Sequence, residues 1–158
     1  MSNSALRPLE TSAVPTPANF NYSLGLPGGP YCLGAARNLV RTVLREHELG
    51  DLAELGVLAA SELLASAYAF TPGRETHLSM RWRFGVLRLT VFDEHPAHEA
   101  AEIIAACLER RREALSLLDT VADTCGRICG LAEADTPLRG SKVWVVLPRE
   151  AGALYARI

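Results

Sequence analysis

Ser61-Glu62-Leu63-Leu64-Ala65-Ser66-Ala67 lies inside a run whose apolar residues Leu55, Leu58, Ala59, Leu63 and Ala67 recur at helical spacing. The run opens on Asp51 followed by Glu54, which has the form of a capping box with Asp51 as N-cap. Glu62 and Ser66 are four residues apart, so both project from one face of that helix. Thr71-Pro72-Gly73 ends it.

Working outward, Phe20, Tyr22, Leu24 and Leu26 alternate with polar or small residues, as a half-buried strand requires, and Pro27-Gly28-Gly29-Pro30 stops them. From Leu33 to about His47 the apolar positions Ala36, Leu39, Val40, Val43 and Leu44 predict an amphipathic helix closed by Gly50. Leu78, Met80, Trp82 and Phe84 alternate, as do Leu87, Leu89 and Val91, with Gly85 between them. This is a hairpin of two long strands, and Asp93 stands where the second runs out. Residues 97 to about 112 have a helical composition. Leu117, Leu118, Val121, Cys125 and Ile128 predict a further helix capped by Gly130, and Val143, Val145 and Leu147 a last strand stopped by Pro148. The order strand, helix, helix, strand, strand, helix, helix, strand predicts a two-layer α/β sandwich, with helices on one face of a mixed, mostly antiparallel sheet. Residues 1–18, rich in Ser, Thr, Pro and Ala, read as a flexible tail, 19–150 as the domain and 151–158 as a C-terminal tail.

Composition narrows the class of function. A chain of 158 residues, about half apolar, can bury a single core, and its net charge of -2 argues against a generic nucleic-acid or anionic-membrane surface. Arg supplies every cation but Lys142, and Ala and Leu abound, as expected of a GC-rich coding sequence such as an actinobacterial one. No positively charged start leads into an apolar run, and no eighteen residues are uninterruptedly apolar, so a cytoplasmic location is expected. Cys32, Cys107, Cys125 and Cys129 read as small buried hydrophobes; Cys125 and Cys129 share one helix face if that helix continues. His95 and His98, with Asp93, Glu94 and Glu99, form a local group of divalent-metal donors. The chain has neither a G-x-S-x-G nucleophile motif nor a G-x-x-x-x-G-K phosphate loop.

Three segments taken together, Ser61 to Ala67, Val91-Phe92-Asp93 and Gly140-Ser141-Lys142-Val143-Trp144, resemble the nucleotide-binding framework of the GHKL (histidine-kinase-like) ATPases, and within them the anti-sigma-factor serine kinases. The resemblance covers roughly Phe20 to Leu147 and implies the Bergerat-type sandwich. It also implies ATP and magnesium as cofactors: Glu62 as general base, Ser66 where the family places a magnesium-binding Asn, Asp93 as reader of the adenine amino group, Arg111 and Arg112 near the phosphates, and Ser141 or Lys142 at the closing hydroxyl position. The chain departs from the family in several places at once. Ser66 replaces Asn and reaches less far, Glu94-His95-Pro96 supplies no glycine after Asp93, and no glycine lies between Gly85 and Gly126, where the family has its phosphate-binding lid. Arg110-Arg111-Arg112-Glu113 occupies the lid instead. A helical or compact segment is therefore expected over residues 97–115. The resulting expectation is a regulatory protein-binding module resembling an anti-sigma factor, with weak or lost nucleotide chemistry. Its partner would be a sigma factor, an antagonist or another transcription regulator, with homodimers common in that branch. The alternative is a working ATP-dependent protein serine kinase.

Overall fold

The computed structural model describes residues 19–96, 98–125, 128–133 and 140–158. Strand β1 (Phe20–Leu26) leads into helix α1 (Cys32–Glu46). A 3-10 turn (Gly50–Leu52) then leads into α2 (Ala53–Phe70). Strands β2 (Thr76–Arg83) and β3 (Val86–Asp93) follow, then helices α3 (Ala101–Ala114) and α4 (Ser116–Thr124), strands β4 (Ile128–Glu133) and β5 (Ser141–Pro148), and helix α5 (Glu150–Tyr155). The sheet order is β1-β2-β3-β5-β4. The architecture is the expected two-layer α/β sandwich. Each of its four pairings is antiparallel, so the sheet is uniform where a mixed one was expected.

Alternation in β2, β3 and β5 sends Leu78, Met80, Trp82, Leu87, Leu89, Val91, Val143, Val145 and Leu147 to one buried face. Against it lies α2, which is buried nearly all round, as a central helix must be. Its neighbours include α1, α5, β3 and the ends of α3 and α4. The segment Gly50–Phe70 is long and apolar enough by composition to cross a membrane, with mean hydropathy 1.3. Here its apolar residues Leu55, Ala59, Leu63 and Leu64 form the middle of the core.

Several local expectations change. The capping box at Asp51 does not form: α2 starts at Ala53 with no side-chain cap, and Asp51 instead accepts from Arg149 Nε at 3.1 Å. The chain reverses after α1 at Glu48, which takes a left-handed φ of 59°. The last predicted helix is shorter than its apolar spacing suggested. It ends at Thr124, and Ile128 to Glu133 turn into β4, paired with β5. Cys125 and Cys129 therefore do not share a helix face. Residues 151–158, expected as a tail, contain most of α5, which buries Ala151 and Gly152. Residues 1–18 lie outside the described residues.

The β2–β3 turn has left-handed φ at both central residues, 54° at Phe84 and 75° at Gly85, the geometry of a type I′ hairpin. Phe84 does not continue the apolar face of β2. It stands 96% exposed in a conformation that favours Asn or Gly. Phe84→Asn is expected to stabilise the domain by about 1 kcal/mol, read as a higher urea midpoint at unchanged slope.

Candidate functional site

Asp93 is the last residue of β3, and Ser141, the first of β5, is its direct cross-strand partner. Both side chains point to the buried face. Ser141 Oγ donates to Asp93 Oδ1 at 2.7 Å, and the backbone N–H of His95 donates to the same oxygen at 3.0 Å. The chain can come this close because residue 140 is glycine. Its φ is 122°, and a Cβ there would run into the carbonyl oxygen of Asp93.

The other carboxylate oxygen is taken from the helical layer. Arg111 Nη2 lies 2.6 Å from Asp93 Oδ2, and Arg111 Nη1 donates to Ser141 Oγ. The two side chains are 2% and 0% exposed. The guanidinium carbon also sits 5.5 Å from the ring centre of Phe70, the last residue of α2. Arg111 is the one fully buried residue of α3. The rest of the inward stripe, Ile104, Cys107 and Leu108, is only half-buried. An ion pair thus fixes α3 to the end of the sheet, with modest apolar support.

His95 lines the same corner. Its Nδ1 lies 3.4 Å from the Phe70 carbonyl oxygen, and its Nε2 lies 3.2 Å from His98 Nε2 and 3.1 Å from Cys107 Sγ. Burial lowers its pKa below the usual histidine value, and the neighbouring Arg111 charge acts in the same direction.

The residues singled out from sequence divide into two groups. Asp93, Arg111 and Ser141 converge on one another. Glu62 and Ser66 lie on one face of α2, two turns and one turn before Phe70 respectively, with Glu62 half-buried and Ser66 buried. Arg112 points to solvent on α3, so only the middle arginine of Arg110-Arg111-Arg112 enters the interior. Lys142 lies opposite Phe92 on the other face of the sheet, because residue 142 alternates away from residue 141. Of the expected metal donors, Asp93 is taken by Arg111, Glu94 is exposed beside Arg74 at 3.6 Å, and Glu99 is exposed. The donor that joins the two histidines is Cys107. Its only sequence signal is that it precedes Arg111 by four residues on a helix.

The residues present do not fit ATP and magnesium. An adenine amino group needs access to the Asp93 carboxylate, which is 0% exposed and closed in by Ser141, the His95 N–H and Arg111. Magnesium needs about six oxygens in a regular array. Ser66 Oγ is buried without a partner among the described residues and supplies one hydroxyl at most, and the Asp93 carboxylate is already neutralised by Arg111.

No family model matches the chain, and no curated protein sequence matches it.

Truncating one member of a buried pair leaves the other charge stranded. Arg111→Ala is expected to cost about 3–5 kcal/mol in urea unfolding. The double replacement Asp93→Asn with Arg111→Met, which removes both charges, is expected to cost less than that single change.

Proposed function

We propose that this chain is a regulatory protein-binding module of the anti-sigma-factor type, acting in the cytoplasm by occupying a protein partner. The observation that carries this reading is the closed Asp93–Ser141–Arg111 cluster. The position that would read adenine is satisfied internally, and the segment that would fold over phosphates is a helix held down by its own arginine. A domain of this shape retains its surfaces when its pocket is filled. Binding is then the function left to it.

The face of the sheet that no described element covers is the surface best suited to a partner. It presents Arg81 and Arg88 beside Phe92, Lys142 and Trp144, and none of its strand positions is Asp or Glu. The indole of Trp144 lies over Gly130 of β4, where a Cβ would clash with it. The Arg88 guanidinium lies 5.5 Å and the Lys142 ammonium 6.0 Å from the ring centre. Ser79, Arg81, Arg88, Thr90, Phe92 and Lys142 enclose a depression of about 160 Å³. The net charge of -2 therefore conceals a locally basic, aromatic face. Charge complementarity points to an acidic protein segment as its occupant, on a sigma factor, an antagonist or another transcription regulator. Repulsion between two such faces disfavours a homodimer built on this surface.

Calorimetric titration with ATP and magnesium is expected to give no binding at millimolar nucleotide. Micromolar binding would restore the kinase reading and sink this one. A labelled poly-glutamate peptide is expected to bind the intact chain, more weakly as salt rises, and at least tenfold more weakly to the Arg81→Glu, Arg88→Glu double variant. Equal binding to the variant, or a preference for a single-stranded oligonucleotide of equal length, would overturn the acidic-partner assignment.

A further inference from the structure

The corner beside Arg111 brings together three side chains of one chemical character. His95 and His98 come from the segment that leaves β3, and Cys107 comes from α3. Their ligand atoms all lie within 4.8 Å of one another, with His95 Nε2 at 3.2 Å from His98 Nε2 and 3.1 Å from Cys107 Sγ. Tetrahedral bonds of about 2.0–2.1 Å to imidazole nitrogen and about 2.3 Å to thiolate place ligand atoms about 3.3–3.6 Å apart. The nitrogen pair is about 0.1 Å short of this spacing and the His95–Cys107 contact a few tenths of an ångström short of it, while the His98 and Cys107 ligand atoms lie within 4.8 Å of each other.

The orientation of His95 adds a second, independent observation. Its Nδ1 faces the Phe70 carbonyl, which can only accept, so the ring proton belongs on Nδ1 and Nε2 carries a lone pair. A backbone carbonyl on the distal nitrogen is the arrangement that orients a metal-binding imidazole. That single lone pair faces two heteroatoms, the nitrogen of His98 and the sulfur of Cys107. It can accept one good hydrogen bond and leaves the other contact unsatisfied. A cation placed among the three atoms satisfies all of them together.

We propose that His95, His98 and Cys107 bind one divalent ion of the zinc class, with the cysteine as thiolate and a fourth position left to water or a partner's side chain. The donor set of two imidazoles and one thiolate selects zinc or a similar borderline ion over magnesium or calcium. The thiol proton leaves to solvent as the ion binds. Cys107 precedes Arg111 by one turn on α3, and His95 donates its backbone N–H to Asp93. The ion would therefore bolt α3 to the end of β3 across the same corner that the Asp93–Arg111 pair closes. It makes the position of α3 dependent on metal supply.

Cobalt titration of the full chain, reduced and freed of metal with chelator, tests this. One equivalent is expected to bind, giving the visible bands of a tetrahedral site and a thiolate-to-cobalt charge-transfer band in the near ultraviolet. Zinc is expected to displace the cobalt. Cys107→Ser should lose the charge-transfer band, and His98→Asn, at a half-buried position outside the helices and strands, should weaken zinc at least tenfold by chelator competition. Zinc should also raise the unfolding temperature of the wild type, and raise that of either variant less at the same concentration. Absence of stoichiometric binding, or a charge-transfer band that survives in Cys107→Ser, would overturn the proposal. An unaltered zinc affinity in His98→Asn would do the same. None of these outcomes depends on whether ATP or an acidic partner binds.

Discussion

A carboxylate with no exposure to water must be matched by donors, and in this domain Asp93 is that carboxylate. Its two oxygens collect a serine hydroxyl from the neighbouring strand, a backbone N–H from the turn that follows and a guanidinium from a helix. Each donor fixes one piece of structure. Ser141 sets the register of β3 against β5, the N–H of His95 bends the chain out of the sheet, and Arg111 brings α3 down onto the corner. Gly140 allows the strands to approach closely enough for all three.

The same interaction decides what the corner can do. In a nucleotide-binding framework of the kind the sequence resembles, an aspartate at this place needs a free oxygen and the lid needs a mobile, glycine-containing backbone. Here Ala101–Ala114 is helical and its buried Arg111 supplies the positive charge. The counter-charge that Asp93 needs is built into the chain. Beside this corner lies the His95, His98 and Cys107 cluster, and on the opposite face of the sheet Arg81, Arg88 and Lys142 surround an aromatic floor. The two lie on different faces, so one can change without rebuilding the other.

Much of the fold was legible because its strands alternate cleanly. Leu78 to Trp82, Leu87 to Val91 and Val143 to Leu147 place every second residue in the core, and the hairpin at Gly85 follows from their spacing. Strand β4 was not legible. Ile128 continues the helical apolar series from Leu117, and Gly130 reads as a helix stop. The reason for a glycine inside a strand is the Trp144 indole lying over it, a contact between strands that no local pattern announces. The capping box at Asp51 failed for a related reason. Arg149, ninety-eight residues away, competes for the carboxylate.

The sequence by itself determined the layered α/β architecture, the place of Asp93 at a strand end, the shared helix face of Glu62 and Ser66, and a segment without glycine between Gly85 and Gly126. These follow from periodicity and residue type, which act within a few positions of the chain. Only the tertiary structure decided that Arg111 turns inward while Arg110 and Arg112 stay in water, that Ser141 faces the site while Lys142 faces away, and that Cys107 meets His95 and His98. Those choices depend on which buried group needs a partner and which segment is near enough to supply one. That is settled when the helix and the sheet pack together.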